Sequence, residues 1–286
     1  MPIYELTEPA GLEDPSLVVA FDGWVDAGSA ATTAIARLAR ESETVATFDP
    51  DLLFDYRSRR PTLEIHDGRL AELTWPELTM RHARLEGRHL LLLTGAEPDD
   101  RWRALSEAVV ELGRRLGVRE WISLGAIPAA VPHTRPVPIL GTESRAGLLQ
   151  GDVRPGPTGI LRVPSAALSV LEMAVVAAGI PAVGYFAQIP HYVSGPYPAA
   201  AVELLRAVGR HLGVTPVLDE LPREAQALRR RLDAAAAADE STGTYVARLE
   251  SMVDESRLPS GDELISDIER FLRDRGTELG GTGRPN

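Results

Sequence analysis

Short apolar runs alternate with amphipathic helical segments along the first two thirds of the chain. Strands that are apolar throughout, each followed by a helix, are typical of a parallel sheet buried on both faces. The pattern therefore predicts an α/β fold with three layers, in which helices cover a mostly parallel sheet. We expect strands at residues 16–21, 44–48, 89–93, 120–124, 137–140 and 180–186. We expect helices at 28–40, 164–178 and 198–212, and a further helix that begins with Asp99 and Asp100.

The pattern of apolar and polar residues changes near residue 217, where strand-like runs stop and helical segments follow at 221–238, 244–255 and 262–275. We therefore expect an α/β domain at 1–217, a small acidic helical subdomain at 218–276 and a disordered tail at 277–286. The stretch 49–88 is polar and rich in turn residues, with edge strands expected at 62–66 and 69–75. His82 and His89 fall across a break in this pattern, so we expect no metal site there.

Charge and composition exclude several classes of function. The net charge of −11 disfavours nucleic acid and anionic membrane surfaces as partners. The chain has no cysteine, and all 30 of its basic residues are arginine, which excludes thiol nucleophiles, lysine Schiff bases and Walker-type phosphate loops. No apolar run is long enough to span a bilayer, and no signal peptide is evident. We expect a cytoplasmic protein with no cofactor and no metal.

The unusual polar and aromatic residues follow predicted strands. In a parallel sheet the loops after the strands share one edge, and ligands of open α/β sheets bind there. We therefore expect a crevice formed by four loop segments. Its candidate residues are Asp22, Trp24 and Asp26 in the first loop, Glu97 in the second, His133 and Arg135 in the third, and His191 and Tyr192 in the fourth, with Thr158 as a further ligand-binding candidate.

Each candidate also has a structural interpretation. Asp26 fits the N-cap of the following helix, which we favour over catalysis. Glu97 fits an exposed residue at a helix start, stabilised by the helix dipole. His191 and Tyr192 fit a hydrogen-bonded loop, and Thr158 lies between glycines in what reads as a turn. Trp24 fits packing or an interface.

Several of these segments resemble the proteasome assembly chaperone 2 family in its bacterial branch. They are FDGWVDAG at 21–28, TGAEPDDRW at 94–102, LGAIPAAVPHTRPVPILGT at 124–142, GPTGI at 156–160 and GIPAVGYFAQIPHYVSGPYP at 179–198. The resemblance implies a phosphorylase-like α/β/α fold, self-association with a trimer as one arrangement, and a proteasome-related partner. The resemblance also implies that relatives outside bacteria bind proteasome α-subunits, often through a C-terminal tail with a hydrophobic residue, a penultimate tyrosine and a final residue of any kind. This chain ends in Gly283, Arg284, Pro285 and Asn286, so we expect any such contact to use another surface.

Two hypotheses follow, and the resemblance carries over no catalytic residue that would decide between them. The first, which we rank ahead, is a self-associating protein that binds or assembles a partner. The second is a small-molecule enzyme of phosphorylase, hydrolase or ligase type. In that case His133 or His191 carries a proton, Arg135 binds an anion, and Asp22 or Glu97 orients the histidine, all around one pocket.

Overall fold

The computed structural model describes residues 2–151, 153–157 and 159–257. Its strands are β1 (Tyr4–Leu6), β2 (Ser16–Asp22), β3 (Ser42–Phe48), β4 (Thr62–His66), β5 (Arg69–Thr74), β6 (Leu78–Leu85), β7 (Arg88–Ala96), β8 (Glu120–Ala129), β9 (Ile139–Glu143), β10 (Arg154–Pro155) and β11 (Ala182–Pro190). Its α-helices are α1 (Ala30–Leu38), α2 (Pro50–Leu53), α3 (Trp102–Arg115), α4 (Ala167–Ala177), α5 (Pro198–Leu212), α6 (Leu221–Ala238) and α7 (Glu240–Arg257), and a 3-10 turn (Ala27–Ser29) precedes α1.

Nine strands form the main sheet, in the order β1-β3-β6-β7-β2-β8-β11-β9-β10. The four central strands, β7, β2, β8 and β11, are mutually parallel. Antiparallel pairs flank this centre, with β6 on one side and β9 on the other. The predicted α/β class is therefore confirmed, and its parallel part is the centre of a mixed sheet.

Side chains of the central strands alternate between two hydrophobic clusters. In β2, Leu17, Val19 and Phe21 belong to the cluster that includes α3 and α4. Val18 and Ala20 point the other way, into the cluster that includes α1 and α5. Since successive strand residues face opposite sides, one apolar strand supports both helical layers, which confirms the three-layer architecture.

The stretch 49–88 departs from the sequence prediction. It contains β6, an eight-residue strand in the main sheet where turns were expected. The predicted break between His82 and His89 is present as the two-residue turn at Glu86 and Gly87. This turn folds β6 back on β7, so the two histidines lie side by side, with Nε2 and Nδ1 3.0 Å apart and the rings stacked. The two predicted edge strands form, but as a separate two-stranded sheet, β4 with β5, rather than at the edge of the main sheet.

The chain divides into two compact units, one ending at Ala234 and the other beginning at Ala235. The division falls inside α6 because Leu221, Leu228 and Leu232 pack with the α1 and α5 cluster. The domain boundary at 217 stays a prediction. The predicted helix at 262–275 and the tail at 277–286 lie outside the described residues. Within the described part of the chain, no helix combines the length and hydrophobicity needed to cross a membrane.

Candidate functional site

The loops that carry the candidate residues lie at one edge of the sheet. Asp22 pairs with Ala96 where β2 and β7 end, and Ala129 pairs with Pro190 where β8 and β11 end. A β-bridge between Asp26 and Ala126 joins the first loop to β8. Because these strands are parallel, the segments after them emerge together, and the expected shared edge is present.

Glu97 is buried and holds two separate segments of backbone. Its Oε2 accepts a hydrogen bond from the Trp24 N–H at 2.6 Å, and its Oε1 accepts one from the Ala167 N–H at 2.8 Å. Ala167 is the first residue of α4, and the residue before it, Ala166, has no side-chain oxygen with which to cap the helix. Glu97 therefore caps α4 from a distance of 70 residues in sequence. The expectation of an exposed residue stabilising the start of the next helix, α3, was wrong.

Gly23 permits this arrangement. A Cβ atom at residue 23 would overlap the Glu97 side chain at both its Cβ and its Oε2. Glycine is required here by the close approach of a side chain, although its backbone dihedrals are ordinary.

Asp26 caps α1, as its structural interpretation predicts. Its Oδ1 accepts from the Ala31 N–H at 2.7 Å and from the Thr32 N–H, and its Oδ2 accepts from the Thr32 hydroxyl. Burial raises the pKa of Asp26, although these hydrogen bonds oppose the increase. The carboxyl group is thus occupied by the start of the helix, across the intervening 3-10 turn.

Trp24 lies between these two fixed points and is 69% exposed. Its backbone N–H donates to Glu97, and the carbonyl of the next residue, Val25, accepts from the Ala126 N–H at 2.6 Å. The backbone of the loop is therefore fixed while the indole projects outward. Asp22, two residues earlier, is also exposed, and its carbonyl accepts from the Glu97 N–H at 2.9 Å.

His133 is buried within a chain of polar groups. The Tyr192 hydroxyl accepts from the His133 backbone N–H at 2.8 Å and lies 2.7 Å from its Nδ1, while Nε2 lies 3.2 Å from Asp233 Oδ1. With a neutral ring, the Nε2–H group donates a hydrogen bond to the carboxylate, and Nδ1 accepts one from the tyrosine hydroxyl. Arg229 donates to Asp233 at 2.8 Å and to the His133 carbonyl at 2.9 Å. The hydrogen bond from Arg229 is the main cause that lowers the pKa of Asp233.

A cleft of about 460 Å³ adjoins this chain of polar groups. Its walls are the loop 133–137, α5 and the first part of α6. His133 and Arg135 are brought together in it, beside Arg206 and Arg229, which the sequence analysis missed. Asp22, Glu97 and His191 are not among its lining residues.

His191 is exposed, and both its backbone N–H and its Nδ1 lie 3.1 Å from the Ala129 carbonyl. The ring thus donates from Nδ1 to the end of β8, which fits the hydrogen-bonded loop interpretation. Thr158 lies outside the described residues. Among the residues that the structure does describe, no group of three or more histidine and acidic side chains could hold a metal ion.

The sequence analysis missed Arg229, Asp233 and Gly23, and the sequence gives different indications of their roles. Arg229 and Asp233 are spaced i, i+4 on a helix, which is a recognisable ion-pair spacing, but nothing in the sequence pointed this pair towards His133. Gly23 stands between the candidates Asp22 and Trp24, and its role depends on a side chain 74 positions away.

The model of the PAC2 family matches residues 20–236. The chain belongs to this family.

Three solved structures are similar over most of the chain. A Corynebacterium glutamicum protein of unknown function is 32% identical, with a TM-score of 0.83, covering 89% of this chain and 98% of its own. A Mycobacterium tuberculosis proteasome-assembly chaperone homologue is 36% identical, with a TM-score of 0.74 and coverage of 81% and 99%. A PAC2 family protein from Streptomyces avermitilis is 35% identical, with a TM-score of 0.71 and coverage of 82% and 100%. No curated protein matches.

Proposed function

We propose that this PAC2 family member is an assembly-chaperone-like protein that self-associates and binds a protein partner at the carboxyl edge of its sheet. The similar Mycobacterium tuberculosis protein is described as a proteasome-assembly chaperone homologue, which supports a proteasome component as the partner. A cytoplasmic location and a homo-oligomer, with a trimer as one arrangement, are part of this proposal.

The proposal rests on the exposure of the Trp24 side chain. The Glu97 and Asp26 side chains in these loops hold backbone groups, whereas the Trp24 side chain is 69% exposed. Tryptophan is enriched among the residues that dominate binding energy at protein interfaces. An anchor on a fixed backbone also loses less conformational entropy when it binds than one on a mobile loop.

The test is affinity capture from native extract, followed by identification of the captured proteins. We expect the tagged wild-type chain to enrich proteasome subunits, and Trp24→Ala to reduce that enrichment about 30-fold, as expected for the loss of a hot spot worth about 2 kcal/mol. Val217→Ala, which alters another exposed apolar side chain, is the matched control and should capture as wild type does. Recovery of the chain alone, or equal capture by the Trp24→Ala variant, would overturn the proposal.

A second candidate function is a small-molecule enzyme or receptor that uses the cleft. The proximity of His133, Arg135, Arg206 and Arg229 favours it, because guanidinium groups recognise phosphate and carboxylate oxygens. Here Asp233 would orient the histidine in place of Asp22 or Glu97. Ligand-detected NMR with small phosphate and carboxylate compounds tests this function. Binding should be lost in Arg206→Gln, whereas binding that persists unchanged in this variant would count against the cleft as the site.

A further inference from the structure

The cleft beside His133 has the opposite charge balance to the chain as a whole. Three arginines line it, Arg135 on the loop after β8, Arg206 on α5 and Arg229 on α6. Among the described residues of its lining, Glu203 is the one acidic side chain. The whole chain, in contrast, has 41 acidic and 30 basic residues. Because a cleft lined mainly by one sign of charge attracts ligands of the opposite sign, this cleft favours an anion.

The Arg229 side chain is already held in position. Its Nε donates to Asp233 at 2.8 Å, and one of its terminal nitrogens donates to the His133 carbonyl at 2.9 Å. These bonds use two of the three guanidinium nitrogens, and the third has two N–H donors of its own. A side chain that is oriented before binding loses less conformational entropy than a free one, so Arg229 is suited to hold a ligand.

Arg206 brings a second guanidinium group to the cleft from α5. It donates to Glu203 at 2.6 Å, in an i, i+3 pair whose side chains are 52% and 27% exposed. Exposed pairs of this kind contribute less than about 1 kcal/mol to stability. Arg206 can therefore turn towards a bound anion at little cost to the fold.

The origin of the arginines in three separate elements favours a phosphate group over a carboxylate. One guanidinium satisfies both oxygens of a carboxylate in a bidentate pair. A phosphomonoester has three terminal oxygens and a charge of about −1.5 to −2 at pH 7, so it accepts hydrogen bonds from several guanidinium groups at once.

The remaining wall of the cleft is largely apolar, and the space exceeds that needed for an inorganic ion. Val137, Val202 and Leu232 are among the apolar side chains that line it. Its volume of about 460 Å³ lies within the range of roughly 300 to 1,000 Å³ that is typical of sites for organic ligands. An anion at the arginines therefore leaves apolar surface for an organic group to cover.

We propose that the cleft binds a small organic phosphomonoester, with its phosphate at Arg206 and Arg229 and its apolar body against Val137, Val202 and Leu232. This inference rests on the second candidate function and specifies the chemical class of the ligand. Since the cleft lies between α5 and the first part of α6, the bound molecule also holds these two helices together.

The dissociation constants of four model compounds, measured on the full chain by isothermal titration calorimetry, test the ligand class. Phenyl phosphate should bind more tightly than phenyl sulfate, which has the same shape but one negative charge, and more tightly than benzoate. It should also bind more tightly than inorganic phosphate, which has no apolar body. Phenyl sulfate or benzoate binding as tightly as phenyl phosphate would overturn the assignment to phosphate, and inorganic phosphate doing so would overturn the organic body.

Variants of α5 and α6 test the position of the site. Arg206→Gln should weaken the binding of phenyl phosphate about 10- to 100-fold, through loss of a charge-assisted hydrogen bond. Arg206→Lys should lose less, because it keeps the charge but not the planar fork. Arg231→Gln removes the same charge from an exposed position on α6 outside the lining, and should bind as wild type does. Equal losses in Arg206→Gln and Arg231→Gln would overturn the site.

Hydrogen exchange followed by mass spectrometry locates the bound compound. Phenyl phosphate should slow exchange in peptides that span residues 133–137 and 222–232, and protection confined to other segments would overturn the proposal. If benzoate binds best, this inference fails while the cleft remains a receptor for anions. If none of the four compounds binds, the second candidate function fails as well, whereas Trp24-dependent capture of a partner would still stand.

Discussion

Replacing Glu97 by glutamine tests whether this side chain stabilises the edge of the sheet. The carboxylate accepts hydrogen bonds from two backbone N–H groups, whereas a glutamine amide has one acceptor oxygen and must turn its NH₂ group towards the other donor. One charge-assisted hydrogen bond is lost, and one buried N–H group loses its acceptor. We expect the free energy of unfolding to fall by about 3 kcal/mol. For a unit of this size the corresponding decrease in Tm is about 6 to 12 °C.

Thermal and urea unfolding followed by circular dichroism measure this loss. Glu203→Gln is the matched control, since Glu203 forms a partly exposed ion pair with Arg206 at 2.6 Å and such pairs contribute less than about 1 kcal/mol. Hydrogen exchange adds a local readout, because the amide protons of Trp24 and Ala167 should exchange faster in the Glu97 variant. If Glu97→Gln unfolds at the same temperature as Glu203→Gln, the proposed stabilisation by Glu97 is refuted.

Three further predictions concern single side chains. Asp26→Ala should lower the free energy of unfolding by about 1 to 2 kcal/mol through loss of the α1 cap, and an Asp26→Asn variant that unfolds at the same midpoint as Asp26→Ala would contradict this. Gly23→Ala should lower the free energy of unfolding by about 1 to 3 kcal/mol, because the added Cβ overpacks against Glu97. Gly87→Ala adds a Cβ where no other atom lies near, so it isolates the separate effect of a positive φ. Burial alone would raise the pKa of Glu120, but hydrogen bonds to its carboxylate, chiefly from His211, outweigh this and lower the pKa to about 2 from an ordinary 4.5. The resulting stabilisation is present above pH 4.5 and is lost as the pH falls towards 2, so acid should destabilise wild type more than Glu120→Gln in urea titrations at pH 5 and pH 3.

The sequence predicts the fold best where local chemistry marks the ends of elements. Helix α5 was expected at residues 198–212 and occupies Pro198–Leu212, with proline in its first turn and Gly213 following it at a positive φ of 68°. These two residues favour a helix start and a helix end on steric grounds alone, without tertiary contacts.

Strand β6 was missed for the opposite reason. Its Arg81 and His82 make it appear polar, but Arg81 donates to the Ser42 hydroxyl at 2.8 Å, and His82 is buried between Glu43 and His89. Neighbouring strands supply partners for these polar groups, so a strand that would be unfavourable on its own forms within the sheet. A pattern-based prediction does not include those partners.

The candidate site was predictable in location but not in detail. Parallel pairing required Trp24 and Glu97 to meet at one edge, and hydrophobic pattern alone identified the strands involved. The contact between Glu97 and Ala167 depends on where α4 begins, which α3 and the sheet determine together. The role of Glu97 was therefore inaccessible until the three elements were placed.

The Glu97 carboxylate also joins the loop that presents Trp24 to the start of α4. One oxygen accepts from the Trp24 backbone N–H, and the other accepts from the backbone N–H of Ala167, the first residue of α4. A displacement of either segment strains the same planar group, so the positions of the Trp24 loop and of α4 are energetically linked. By thermodynamic reciprocity, if a shift of α4 weakens the binding of a partner to Trp24 by some factor, that partner opposes the shift by the same factor.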